Sequence, residues 1–354
     1  MNNIFKLDDP EKMTVFGRAS VSGEGTALFW TGSAIEFNIK ASELYIEIEC
    51  GYEERELMAD IVLDGERSQK LILDNGIRKY TIFKGMDPAK PINVRVIRDT
   101  QCMPDDRQSY ILLKSIETDG SLSEPDRYDI NIEFIGDSIT SGEGCGLLKR
   151  VEWAPVVFDA VESYPYKTAK LLNARYDVVS QSGWGLYAAW DGDLTHVLPD
   201  LYEQVCCITK GEKSINLGAH DKYDFTRNDM DVVLINLGTN DSNALKTGKF
   251  EKDEFIKAFE QKGIEFLKTV RRNNGACNII WAYGMLGDKM EPYIKEIIKE
   301  YIKETGDRRI EYLKLSDCKG KDLGARSHPT PAAHSKAAES IADFIRSLQV
   351  YMLR

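Results

Sequence analysis

Histidine and paired cysteine are what this sequence has least of. Four histidines stand in 354 residues, and the seven cysteines (Cys50, Cys102, Cys145, Cys206, Cys207, Cys277 and Cys318) are odd in number and contain no C-x-x-C pair. Structural zinc needs clustered thiolates and imidazoles, so neither a metal nor another cofactor is expected. Scattered thiols fit a reducing compartment better than a disulfide framework. Long apolar runs are lacking, which excludes a bilayer-spanning helix. The opening "MNNIFKLDDP" has consecutive acids where a secretory signal keeps an apolar stretch. A cytoplasmic location is the expectation. Lys/Arg-rich runs are missing too, and with a formal charge of −11 no basic face is expected for a polyanion. Nucleic acid and anionic membrane are therefore not expected partners.

What is present, 42% hydrophobic residues, is ample for a sizeable core, and the length favours two domains. From Val15 to Thr118 the period is that of strands: "AIEFNIKASELYIEIECGY" alternates through Ile35, Phe37 and Ile39 and again through Leu44, Ile46, Ile48 and Cys50. Asp64-Gly65 and Asn75-Gly76 tolerate the positive φ of tight hairpin turns. "ADIVL" and "QKLIL" fit paired strands, and "INVRVIR" alternates once more. An all-β sandwich of jelly-roll type is expected over residues 1–122. "TDGSLSEPDRYD" (118–129) is polar and reads as the linker.

Beyond it the period changes. "NIEFIGDS", "YDVVSQS", "DVVLINLG", "NIIWAYGML" and "IEYLKLS" are short, nearly continuous apolar runs, as parallel strands covered on both faces require. Helical spacing lies between and after them, in Phe255, Phe259, Phe266, Leu267 and Val270 and in Ala333, Ala337, Ile341, Ile345 and Leu348. Residues 123–354 therefore predict a doubly wound α/β domain, flavodoxin-like in plan.

Such sheets gather functional groups at the carboxyl ends of their strands. Gly136-Asp137-Ser138 follows the first strand, Ser182-Gly183-Trp184-Gly185 the second and Gly238-Thr239-Asn240-Asp241 the third, while "SHPTPAAH" lies past the last. Taken singly each is bland. Ser138 suits a helix N-cap, Gly183 a tight turn, Asn240 a cap and Trp184 packing. Together they supply a hydroxyl, a glycine of close approach, a carboxamide and an imidazole, the parts of an acyl-transfer site. Gly136-Asp137-Ser138-Ile139-Thr140 lacks the second glycine of G-x-S-x-G, so the nucleophile elbow of α/β-hydrolases is excluded.

"GDSI" (136–139), the glycine of "SGWG", "GTND" (238–241) and the "HP" at 328–329 resemble the four blocks of the SGNH, or GDSL-type, hydrolases. "VFGRAS", "LFWTGSAIEF" and "INVRVIRDTQ" extend the likeness through the first half to carbohydrate esterase family 2, which pairs a jelly-roll-like sandwich with an SGNH domain and removes O-acetyl groups from sugars. The resemblance implies Ser138 as nucleophile and His328 as base. It also implies an oxyanion hole from the backbone N–H groups of Ser138 and Gly183 and the side chain of Asn240. It further implies an acetylated mono- or oligosaccharide substrate, of xylan or mannan type. Most SGNH enzymes place an aspartate three residues before the histidine; here that residue is Ala325. Members of family 2 use a backbone carbonyl in its stead, so a Ser-His dyad is expected; Asp322 is too far upstream to serve by analogy unless its loop brings it round.

Trp184, Tyr187 and Trp190 are the candidate sugar contacts, Trp184 foremost, because aromatic faces stack on sugars. Trp153, Glu143 and Asp191 are further candidates. Asp137 and Asp241 read as ties to backbone amides, and Gly185 as a turn former. His334 reads as packed or hydrogen-bonded, and Cys145 as inert for want of a base. Trp30 reads as core or interface, in a first domain that reads as a packing partner, a carbohydrate-binding module or, as the family resemblance implies, a wall of the acceptor crevice. Two other readings stand beside the acetyl esterase: a lysophospholipase or thioesterase on the same scaffold, and a sugar-binding protein without catalysis.

Overall fold

The computed structural model describes residues 2–9, 11–146 and 153–348, and of Ala154 the backbone alone. Two compact units make up the chain, the first comprising Met1–Arg127 with Glu152–Val161 and Gln204–Tyr223, the second Tyr128–Val151, Glu162–Glu203 and Asp224–Arg354.

In the first unit the period-2 stretches form two six-stranded antiparallel sheets. One runs in the order Ser20–Ser22, Gly25–Leu28, Tyr110–Thr118, Glu43–Gly51 and Gly76–Lys84, with Asn3–Lys6 also on Tyr110–Thr118. The other runs Ser121–Ser123, Ala34–Lys40, Ile92–Arg98, Leu57–Leu63 and Glu66–Leu73, with Thr14–Phe16 on Ala34–Lys40. Alternation does the sorting: in Glu43–Gly51 every second side chain from Leu44 onward is buried, and Ile46 and Ile48 join Phe37, Val94, Val96 and Leu113 in one core. The expected sandwich is found, and the stretch read as a linker holds the strand Ser121–Ser123.

Asp64-Gly65 closes a hairpin with both residues at positive φ (47° and 81°), as the sequence implies. Asn75-Gly76 does not. Glu66–Leu73 and Gly76–Lys84 lie in different sheets, so this Asn-Gly carries the chain from one sheet to the other. The Asn75 side chain is spent instead on the backbone N–H and C=O of Tyr52, at 2.9 and 2.8 Å. Period reveals which face of a strand is buried; it does not name the strand's partner.

Three carboxylates, Asp60, Asp99 and Asp159, also meet in this unit. Lys70 Nζ stands 2.8 Å from Asp99 and Arg67 2.7 Å from Asp159, so two side-chain cations already neutralise much of the charge. Trp30 is buried, its indole N–H donating to the carbonyl of Val205 at 2.6 Å.

The second unit is built on five parallel strands, β1 (Ile130–Gly136), β2 (Ala174–Ser180), β3 (Val232–Asn236), β4 (Asn278–Tyr283) and β5 (Ile310–Lys314). Their order is β2-β1-β3-β4-β5, the doubly wound plan expected from the sequence. Every residue of β2 and β3 is buried, which explains runs without alternation. The helices are α1 (Tyr164–Leu172), α2 (Thr239–Lys246), α3 (Lys252–Asn274), α4 (Glu291–Thr305) and α5 (Pro331–Ser347), α1 packing with α5 and α3 with α4. Phe255, Phe259, Phe266, Leu267 and Val270 form the buried stripe of α3, and Ala333, Ala337, Ile341 and Ile345 that of α5.

Candidate active site

Strand order reverses between β1 and β3, and the crevice that opens at such a point is where a doubly wound sheet collects its ligands. Ser138 leaves β1 there and Asn240 leaves β3. Gly136 permits the exit, since a Cβ on it would lie 2.0 Å from the hydroxyl of Thr140. Residues 138–143 then form irregular turns, closed by the Ser141 N–H on the Asp137 carbonyl and the Glu143 N–H on that of Ser138, each at 3.0 Å. Ser138 caps no helix. Its Oγ stands 2.7 Å from His328 Nε2.

His328 Nδ1 is 2.9 Å from the carbonyl oxygen of Arg326, which fixes the proton on Nδ1 and leaves Nε2 as the acceptor for the serine. That carbonyl reaches the ring because Arg326 (φ 49°, ψ 29°) and Ser327 (φ 57°) are both left-handed, a conformation costing roughly 1–2 kcal/mol per non-glycine residue. The backbone carbonyl thus occupies the orienting position. Asp322 does not, as its carboxylate pairs with Lys336 at 3.2 Å. Ala325, at the usual aspartate position, is buried and accepts the backbone N–H of His328 at 3.0 Å.

Gly183 has φ 80°, and a Cβ there would meet the Trp190 ring at 2.9 Å. The Asn240 amide donates to the carbonyl of Trp184 at 2.8 Å and to Asp137 Oδ2 at 3.3 Å, and the residue borders the crevice. Asp137 is wholly buried, and burial pushes its carboxyl up to about 7. Asp241 ties the second loop, accepting the N–H groups of Leu186, Tyr187 and Ala188 at 3.0, 2.8 and 2.9 Å. Burial raises its pKa and those three bonds oppose the rise. Gly185 shapes the same turn, for a Cβ there would lie 2.0 Å from the carbonyl of Ala188. Asp137 accepts the Ile139 N–H at 3.0 Å, so both aspartates are ties to backbone amides, as read from the sequence.

The resulting cavity measures ≈ 600 Å³ and is bounded by Ser138, Gly183, Asn240 and His328 together with Glu143, Trp190, Asn243, Leu286 and Arg326. Of the three aromatic candidates only Trp190 borders it, 60% exposed. Trp184 is buried and stacked on His196 at 5.0 Å, and Tyr187 packs edge-on against Phe255 at 5.1 Å. Trp153 belongs to the first unit, where its indole donates to Glu56 at 2.9 Å. Asp191 accepts the N–H of Asp193 within its own loop.

His334 accepts the Tyr164 N–H at 3.0 Å and stacks on that ring; burial, then Lys167 and His328, push its pKa down to about 3. Cys145 is buried with its Sγ 3.6 Å from the carbonyl of Glu162. Sequence reasoning passed over Leu286, Asn243 and Arg326. Leu286 follows β4, a strand end left out of the count, and Asn243 lies a helical turn beyond Asn240.

A serine held against an imidazole at the switch point of a doubly wound sheet is the centre of a serine hydrolase. Residues 132–341 match the family model of the GDSL-like lipase/acylhydrolases, and the chain belongs to that family. A solved acetyl xylan esterase from the rumen bacterium Butyrivibrio proteoclasticus is 32% identical, with TM-score 0.95 and 99% of each chain covered. The acetylxylan esterase / glucomannan deacetylase of Cellvibrio japonicus is 25% identical over 96% of this chain and 89% of its own length. The cellulase/esterase of Acetivibrio thermocellus is also 25% identical over 91% of this chain, which spans only 38% of that longer protein.

Proposed function

We propose that the chain is a carbohydrate O-acetyl esterase of the family 2 type, acting on acetylated sugars or hemicellulose oligosaccharides of xylan or mannan type. The observation that carries the reading is the 2.7 Å approach of Ser138 Oγ to His328 Nε2, with Nδ1 held by the Arg326 carbonyl. Ser138 Oγ attacks the acetyl carbonyl as His328 Nε2 takes its proton. The oxyanion is held by the N–H groups of Ser138 and Gly183 and by the Asn240 amide, which exchanges its longer, 3.3 Å bond to Asp137 for the oxyanion, and one such donor is worth about 10²–10³ in rate. His328 then returns the proton to the departing sugar oxygen, leaving an acetyl ester on Ser138. Water, deprotonated by the same imidazole, releases acetate and restores the serine.

Relatives described as acetyl xylan esterase and as acetylxylan esterase / glucomannan deacetylase support the substrate class. So does the cavity wall, where Leu286 and the exposed Trp190 are the apolar members among serines, asparagines, Glu143 and Arg326. That lining suits a short acyl group and a hydroxylated leaving group better than a long alkyl chain. Seven free thiols suit a reducing, cytoplasmic setting. The test is a chain-length series of p-nitrophenyl esters. The reading predicts fastest turnover of acetate and none above background with Ser138→Ala. Faster turnover of long-chain esters would favour the lysophospholipase reading, and inactivity of the wild type on every ester the sugar-binding one.

A further inference from the structure

In a Ser-His-Asp triad the aspartate both orients the imidazole and stabilises the positive charge it acquires. Here the Arg326 carbonyl orients the ring but brings no negative charge. A carboxylate does stand beside His328, on the opposite edge of the ring. Glu143 lies on the nucleophile's own turn, its N–H bonded to the Ser138 carbonyl, with its side chain only 6% exposed. One oxygen, Oε1, is 3.2 Å from the Arg326 guanidinium, and the other, Oε2, is 3.8 Å from His328 Nε2. The latter distance is too long for a hydrogen bond, so Glu143 does not compete with Ser138 for Nε2, yet it is short enough for a strong charge interaction. The next residue, Gly144 (φ 88°), fits against the histidine, since a Cβ on it would lie 2.5 Å from His328 Cβ. The turn that carries the nucleophile therefore also seats the base.

We propose that Glu143 is a positioning residue that takes over the part of the absent aspartate. Through Arg326 it holds the left-handed backbone whose carbonyl orients His328, and across 3.8 Å it stabilises the imidazolium formed when Ser138 gives up its proton. The inference rests on the acyl-transfer reading of Ser138 and His328. Other charged and titratable groups here are Arg326 on the histidine's own loop, Asp137 at the base of the serine turn, which feels the Glu143 charge, and His334 on α5, which burial keeps neutral.

The two halves of the ion pair make predictions of opposite sign. With p-nitrophenyl acetate as probe, Glu143→Gln should lower kcat about tenfold or more and move the acid limb of the kcat/KM profile to lower pH, because removing a neighbouring negative charge disfavours the charged imidazolium. Arg326→Met keeps the carbonyl and removes the cation, so its acid limb should move to higher pH. Glu143→Asp, which keeps the charge, should recover part of kcat, and KM should change little in all three. The position of the limb is a property of the active molecules and is unaffected by a fraction that fails to fold. Should Glu143→Gln not fold at all, the directions for Arg326→Met and Glu143→Asp decide. Activity losses with an unmoved limb would overturn the proposal while leaving the esterase reading intact. A wild type no more active than Ser138→Ala would overturn both.

Discussion

At the residue scale the account turns on which side chains meet His328 and which only stand near it in sequence. Asp322 is the nearest upstream carboxylate, but its charge is engaged by Lys336, so Asp322→Ala should retain most of kcat for p-nitrophenyl acetate. A loss beyond about tenfold would show that the aspartate reaches the imidazole during turnover. Trp190, bordering the cavity and largely exposed, is the side chain placed to stack on a sugar ring. Trp190→Ala should raise KM about tenfold for an acetylated xylo-oligosaccharide, in line with about 1–1.5 kcal/mol for an aromatic contact, and leave KM for p-nitrophenyl acetate nearly unchanged. Equal effects on both substrates would argue for a role in holding Gly183 rather than the sugar. Ser138, Gly183 and Asn240 were legible because each closely follows a parallel strand, whereas His328 lies beyond two short 3₁₀ turns after β5 and it is the fold that brings it back to Ser138. Trp184 was misjudged for a physical reason: position in a loop says nothing of which way an indole turns, and this one is taken up by His196. The left-handed pair Arg326-Ser327 was not legible either, because neither residue is glycine.

At the element scale the strands explain most of what could be read. Continuous burial in β2 and β3 left runs that only a doubly covered sheet accommodates, and the stripes of α3 and α5 supplied the covers. Asn75-Gly76 marks the limit, since one dipeptide serves a hairpin or a crossing between sheets and only distant pairing decides. The joint between α1 and α5 carries a prediction about acid. His334 is buried and accepts the N–H of Tyr164, so its folded pKa of about 3 lies below its ordinary 6.5. The unfolded chain therefore takes up a proton that the folded one refuses. The stabilisation is complete above about 6.5 and is lost as pH falls toward 3. Melting temperatures should fall more steeply between those limits for the wild type than for His334→Gln, whose amide can still accept the Tyr164 N–H. Parallel curves would contradict a neutral His334.

At the scale of the whole molecule, two units were legible from a change of period near residue 120, while the membership of each was not. Glu152–Val161 and Gln204–Tyr223 fold with the sandwich although they come from the second half of the chain, and no local pattern encodes such a return. The site itself lies within the second unit, where the turns after β1 and β2, the start of α2, the loop after β4 and the segment before α5 supply its walls. The central claim is that this site removes acetyl groups from sugars through Ser138. Its most direct test is proton NMR of acetate release from a defined acetylated xylo- or manno-oligosaccharide, wild type against Ser138→Ala. The account predicts free acetate with matching loss of sugar O-acetyl signals for the wild type and neither for the variant. Release at the same rate by both proteins, or no release by the wild type, would contradict it.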